Sequence, residues 1–83
     1  MIEAIRNLQK SCEVETSCTI SYELHIENNE IIFKYDVCYA WECIRDFHTN
    51  FNACDWETNE RGVLNEIKKL KEFIMEKSGI HDL

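Results

Sequence analysis

The sequence predicts an α+β fold: an N-terminal helix, an antiparallel β-hairpin, and two C-terminal helices packed on one face of the sheet. Apolar and polar residues alternate in the middle of the chain, and apolar residues recur at helical spacing near both ends. The 83 residues include no proline and only two glycines, so regular elements should be joined by short connections. The length suits one domain, residues 1–83, with a single core.

The first element is a helix, because apolar residues recur along one side of it: Ile2, Ile5, Leu8 and Cys12. The residues between them include charged and amide side chains. No residue provides a clear N-cap, so this helix needs packing against the rest of the chain to be stable.

The β-hairpin has the strongest pattern. Alternation runs over residues 18–26 and again over residues 31–39, on either side of Asn28 and Asn29. Asparagine tolerates positive φ, which a two-residue primed turn requires. This turn places Glu23 opposite Lys34 on the polar face. The apolar pairs on the other face are Ile26 with Ile31, Leu24 with Phe33, Tyr22 with Tyr35, and Ile20 with Val37.

Helical spacing returns after Ala40. It predicts a second helix with a buried stripe of Trp41, Ile44, Phe47, His48 and Phe51. Residues 50–57 break this pattern as a loop. A third helix follows, with Thr58 or Asn59 as its N-cap and Gly79 at its end. Its buried stripe is Val63, Leu64, Ile67, Leu70, Phe73 and Ile74, and its solvated face includes Glu66, Lys68, Lys69, Lys71, Glu72 and Glu76.

A sheet of only two strands is weak in water. Three arrangements would stabilise it: a third strand within residues 12–16 or 52–57, helices covering one face of the hairpin, or two chains sharing an edge.

The cysteine content and the first ten residues predict a cytoplasmic protein. The five cysteines are Cys12, Cys18, Cys38, Cys43 and Cys54. An odd number argues against a closed disulfide framework. The first ten residues carry charges where a signal peptide would need an apolar stretch. No apolar run is long enough to span a membrane. Free thiols in a reducing cytoplasm are the simplest interpretation.

Metal binding and catalysis are both disfavoured. A C-x4-C-x4-H-x5-C pattern is formed by Cys38, Cys43, His48 and Cys54. The predicted helix would point His48 away from Cys43, so these side chains would not surround one metal ion. Free cysteine is more often a small buried apolar residue. No histidine is paired with a cysteine by a local signature, and no oxyanion site is visible. We expect no cofactor, no metal and no enzymatic activity.

The acidic residues carry the functional prediction. Residues 11–60 contain eleven carboxylates and two basic side chains, a net charge of −9, whereas each flank sums to +1. Such a charge repels nucleic acid and anionic membrane and attracts basic protein surfaces. Trp56, between two carboxylates in the predicted loop, is either an interface anchor or part of the core. The candidate partner-binding residues are Glu23, Glu27, Glu30, Asp36, Glu42, Asp46, Asp55, Trp56 and Glu57.

In size, in the acidity of residues 13–60 and in its helix–hairpin–helix–helix order, the chain resembles the small acidic DNA-mimicking proteins that bacteriophages encode against host defence, the anti-CRISPR and anti-restriction proteins. The resemblance extends over the whole length. It implies a protein of the host cytoplasm that occupies a basic nucleic-acid channel of a nuclease complex. The chain departs from this category in its last helix, whose lysines are poor imitators of phosphate.

The predicted function is therefore that of an acidic inhibitor that binds the basic surface of a nucleic-acid-binding protein. Two alternatives remain open. One is a homodimeric structural or regulatory protein, and the other is a small zinc-binding module.

Overall fold

A computed structural model describes residues 1–52 and 54–83 of the chain. Within these residues the order of elements is α1 (Ile2–Glu15), β1 (Cys18–Glu27), β2 (Glu30–Tyr39), β3 (Glu42–Asn52) and α2 (Trp56–Ser78). The strands form one antiparallel sheet in the order β1-β2-β3. The α+β class and the N-terminal helix are confirmed, but the described residues contain two helices rather than three.

The β1–β2 hairpin has the predicted register. Each predicted pair is found, including Glu23 opposite Lys34 on the polar side. Asn28 and Asn29 have φ values of 50° and 63°, as a two-residue primed turn requires. The alternation of apolar and polar side chains over ten residues was enough to determine this pairing, because a slip of one residue would expose every core side chain.

The predicted helix over Trp41–Phe51 is wrong, because this segment forms strand β3. Val37 pairs with Arg45 and Cys38 pairs with Cys43, so Ile44 is an extra residue in β3. Such a β-bulge interrupts the two-residue period of a strand. Ile44 and Phe47 both pack against the core although they are three positions apart, and this spacing imitates a helix.

The third strand therefore lies in neither of the two predicted places. Residues 12–15 belong to α1, and residue 52 ends β3. The predicted loop over residues 50–57 is also largely wrong, because residues 50–52 are strand and Trp56 begins α2. Ala53, which falls within that loop, lies outside the described residues.

Helix α2 begins earlier than predicted and ends where predicted. Its N-cap is Asp55, whose side chain accepts a hydrogen bond from the Thr58 N–H at 3.4 Å. Thr58 and Asn59 therefore lie inside the helix. At the other end Gly79 has φ 69°, and the N–H of Ile80 donates to the carbonyl of Met75 at 3.1 Å. This left-handed glycine cap satisfies carbonyls that the helix leaves free.

One core lies between the two helices and one face of the sheet. Its buried residues come from all parts of the fold except β3: Ile5, Leu8, Cys12, Cys18, Ile20, Phe33, Tyr35, Val37, Val63, Ile67, Leu70 and Ile74. Phe47 and Phe51 of β3 pack against this cluster from the edge. Leu64, predicted to be buried, is 41% exposed. The helices cover one face of the sheet, so the opposite face is left to solvent.

Candidate protein-binding surface

The solvent face of the sheet carries five carboxylates. Side chains along a strand alternate between the two faces, and the register of the three strands aligns these alternations. The face opposite the helices therefore bears residues from each strand, and we call these five the acidic sheet face: Glu23, Glu27, Glu30, Asp36 and Asp46. Four of them are exposed and Glu23 is half-buried.

One lysine partly neutralises the acidic sheet face. The Nζ of Lys34 lies 2.6 Å from Oε2 of Glu23. This hydrogen bond holds the pKa of Glu23 below its ordinary value and raises the pKa of Lys34. His25 lies between Glu23 and Glu27, with nitrogen–oxygen distances of 3.4 and 3.3 Å. With neutral histidines, five carboxylates and one lysine leave this face a net charge of −4.

The centre of the face holds two opposed carboxylates. Asp36 of β2 pairs directly with Asp46 of β3, and both are exposed. Among the described residues neither has an ion-pair partner within 4.0 Å. Like charges in direct cross-strand positions destabilise a sheet. A cationic group bound between Asp36 and Asp46 would relieve this repulsion.

The other predicted site residues lie elsewhere. Glu42 begins β3 at the opposite end of the sheet from the β1–β2 turn, which Glu27 and Glu30 flank. Asp55 is the N-cap of α2, and Glu57 is in its first turn. The nine residues are thus divided between the acidic sheet face, the start of β3 and the start of α2.

Trp56 contributes to an apolar hollow rather than to an irregular loop. It is the first residue of α2 and is 43% exposed. The hollow beside it is lined by Met1, Ile2, Leu24, Ile26 and Ile31. Part of the indole therefore covers the end of the core next to the β1–β2 turn.

Trp41 is the exposed aromatic residue that the sequence pattern did not reveal as a site. It is fully exposed in the turn between β2 and β3. Ala40 and Trp41 have φ values of 53° and 71°, so two residues other than glycine adopt the left-handed conformation. Positive φ is a genuine outlier for a bulky residue and costs about 1–2 kcal/mol. The apolar spacing that imitated a helix placed Trp41 on a buried stripe and concealed this turn.

A polar network fastens α2 to the sheet. The hydroxyl of Tyr35 donates to Oε1 of Glu66 at 2.6 Å and accepts from Nε of Arg45 at 2.8 Å. A second Arg45 nitrogen lies 3.2 Å from the same Glu66 oxygen. Burial, and then the hydrogen bond to Glu66, raise the pKa of Tyr35 to about 12. The hydroxyl therefore stays protonated near neutral pH, as a structural hydrogen-bond donor requires.

The C-x4-C-x4-H-x5-C pattern does not converge on one point. Cys38 and Cys43 are cross-strand partners, whereas His48 is five residues further along β3, roughly 15 Å away at the rise of a strand. Zinc ligands lie about 2.0–2.3 Å from their metal. Within residues 1–52 and 54–83 no group of three histidine, cysteine or acidic side chains is placed to hold a metal ion.

Comparison with protein-family models, curated proteins and solved structures finds no match for this chain. In the described part of the chain, neither helix is sufficiently long and apolar to cross a membrane.

Proposed function

We propose that this protein is an acidic inhibitor whose sheet face occupies a basic, nucleic-acid-binding surface of a nuclease complex. The observation that carries the proposal is the acidic sheet face, where, among the described residues, five carboxylates and a single lysine lie on a surface that neither helix covers. A row of carboxylates presents to lysine and arginine the negative charge that phosphates would present.

Electrostatic attraction steers the encounter in this mechanism. Complementary charge raises the association rate, and salt weakens it. Asp36 and Asp46 favour a cationic partner most strongly, because a positive group that approaches both relieves their mutual repulsion. The lysines of α2 lie on the helical side of the molecule and so do not interrupt the acidic sheet face.

Charge reversal tests the surface. The triple variant Glu27→Lys, Glu30→Lys, Asp36→Lys should lose partner binding, because the centre and one end of the face change sign. The matched control reverses three exposed helical carboxylates, Glu13, Glu72 and Glu76, and alters net charge equally. The control should retain binding, with circular dichroism confirming both folds. Equal loss in both variants would show that net charge, rather than this face, determines binding.

Competition with DNA tests the mimicry. Proteins captured from a host lysate on the immobilised chain should be released by duplex DNA and by raising salt from about 50 to about 500 mM, which shortens the screening length roughly threefold. The released proteins should include a nuclease or another nucleic-acid-binding protein. A partner that resists both DNA and salt would contradict the proposed mechanism.

A homodimer is the second candidate, and the observation that favours it is the free edge of β3. This eleven-residue strand pairs with β2 alone, so its other edge has no strand partner in the described chain. An open edge can pair with another chain, although charged residues and a bulge discourage this. Size-exclusion chromatography with light scattering distinguishes a dimer from a monomer directly.

A further inference from the structure

Two cysteines lie opposite each other beside the β2–β3 turn. Cys38 of β2 and Cys43 of β3 are cross-strand partners on the solvent face of the sheet. Tyr39 and Glu42 form the next pair, and the two-residue turn of Ala40 and Trp41 follows. The two thiols therefore flank the segment that exposes Trp41.

The position of this pair within the ladder suits a disulfide. A two-residue turn is closed by a hydrogen-bonded pair, here Tyr39 with Glu42. Hydrogen-bonded and non-hydrogen-bonded pairs alternate, so Cys38 and Cys43 occupy a non-hydrogen-bonded pair with Cα atoms about 4.5 Å apart. A disulfide bridges Cα atoms separated by about 4.4–6.8 Å. The Cα separation of such a cross-strand pair therefore falls within the range that a disulfide spans.

These thiols are also more accessible than the other adjacent pair. Cys43 is exposed and Cys38 is half-buried, whereas Cys12 and Cys18 are both buried in the core. Burial raises the pKa of Cys12 to about 11, which suppresses the thiolate that exchange requires. An internal disulfide should therefore form between Cys38 and Cys43 more readily than between Cys12 and Cys18.

We propose that Cys38 and Cys43 form a reversible cross-strand disulfide by exchange with a small-molecule disulfide such as oxidised glutathione. The thiolate of Cys43 attacks one glutathione sulfur, forms a mixed disulfide and releases the first glutathione thiolate. The thiolate of Cys38 then attacks Sγ of Cys43 and displaces the second. The protons of the two cysteines pass to the two glutathiones, so the protein is oxidised by two electrons and the reagent is reduced by two.

The disulfide would covalently close the strained turn. Residues 38–43 include both positions of positive φ, and Trp41 makes no buried contact that holds the turn in place. A bridge between the flanking strands limits fraying of this end of the hairpin. Oxidation would thus restrain the backbone of the turn that exposes Trp41. This restraint does not involve the acidic sheet face.

Peptide mass mapping tests the proposal. The folded protein is incubated with oxidised glutathione, remaining thiols are alkylated, and trypsin is added. Cleavage after Lys34 and Arg45 yields the peptide of residues 35–45, which contains Cys38 and Cys43 and no other cysteine. We expect this peptide to lose two hydrogens and to carry neither glutathione nor an alkyl group. Mixed disulfides or alkyl groups at both positions would overturn the proposal.

Unfolding tests whether the sheet orients the two thiols. The quantity compared is the rate of internal disulfide formation divided by the rate of mixed disulfide formation. This ratio should be at least about tenfold lower in urea than in buffer, because the unfolded chain no longer orients the thiols. Equal ratios in urea and buffer would show that proximity in sequence is sufficient.

Two variants are the controls for the cysteines themselves. The Cys43→Ser variant should accumulate glutathione on Cys38, and Cys54→Ser should oxidise like the wild type. In the folded protein, residues 35–45 should also take up deuterium more slowly after oxidation than before it. Unchanged uptake would contradict closure of the turn.

Discussion

At the level of single residues, Tyr35 shows how a polar group is accommodated in an apolar core. Its ring is 2% exposed and stacks on Phe47 with centroids 5.6 Å apart. Its hydroxyl is satisfied from both sides, by a carboxylate of α2 and a guanidinium of β3. Arg45 in turn lies over the ring of Phe73 at 5.2 Å, a cation–π contact. The network joins β2, β3 and α2 at one point.

Removing the Tyr35 hydroxyl should destabilise the fold. In Tyr35→Phe, Glu66 and Arg45 each lose a hydrogen-bond partner in a partly buried site, so we expect unfolding to become easier by about 1–3 kcal/mol. Urea denaturation measures this difference. The control is Tyr39→Phe, whose exposed ring keeps its contact with Lys77 and whose effect should remain within about 0.5 kcal/mol. Equal stability of the two variants would refute the role of the network.

The same hydroxyl predicts a loss of stability at high pH. The pKa of Tyr35 rises from 10.0 in the unfolded chain to about 12 in the fold, so folding favours the protonated form. This contribution is complete below pH 10 and is lost as pH rises towards about 12. The stability difference between wild type and Tyr35→Phe should therefore shrink over this range in urea titrations. A difference independent of pH would contradict the shifted pKa.

At the level of elements, the two turns of the sheet have the same backbone conformation but different residues. Both are two-residue connections with positive φ at each position. Asparagine occupies the first turn and adopts this conformation readily. Alanine and tryptophan occupy the second, and neither has the short polar side chain whose local hydrogen bonds make positive φ tolerable for asparagine. The β2–β3 turn is therefore the strained one, and the pairing of β2 with β3 must stabilise it.

Relieving the strain at Trp41 should stabilise the protein. Because its side chain is fully exposed, Trp41→Gly removes no buried contact, and we expect a gain of about 0.5–1 kcal/mol. Thermal unfolding measures it. Asn29→Gly is the matched control in the first turn and should gain less, since asparagine already tolerates positive φ. A loss of stability in Trp41→Gly would mean that the indole packs against the sheet.

At the level of the whole molecule, the sheet is acidic and the helices are close to neutral. Strands β1 to β3 contain six carboxylates and two basic residues, whereas α2 contains five of each. The sheet therefore contributes −4 of the net charge of −7. The negative charges of the sheet oppose folding because they repel one another. The same charges attract a cationic partner.

Salt should accordingly have opposite effects on stability and on binding. Raising NaCl from about 50 to about 500 mM should increase the melting temperature by about 2–4 °C, equivalent to roughly 0.5 kcal/mol for a domain of this size. Differential scanning calorimetry measures this shift. The Asp36→Lys variant, with a weaker internal repulsion, should respond less. A melting temperature that falls with salt would show that pairs such as Lys34 with Glu23 outweigh the repulsion.

The hairpin, α1 and the end of α2 could be predicted because each depends on consecutive residues. Alternation over β1 and β2, apolar spacing in α1 and a glycine after α2 are properties of short segments. Strand β3 could not be predicted in the same way. One extra residue at Ile44 converts the spacing of a strand into that of a helix, and only pairing with β2 distinguishes the two.

The acidity of residues 11–60 was likewise evident from the chain itself, but the placement of its carboxylates was not. Which face a carboxylate occupies depends on its parity within a strand and on the register between strands. Pairing of β2 with β3 brought Asp46 beside Asp36 and placed Arg45 on the core side, where it meets Tyr35 and Glu66. Local patterns determine the hairpin and the two helices, whereas the identity of β3 and the distribution of charge on the surface are decided only when the elements pack together.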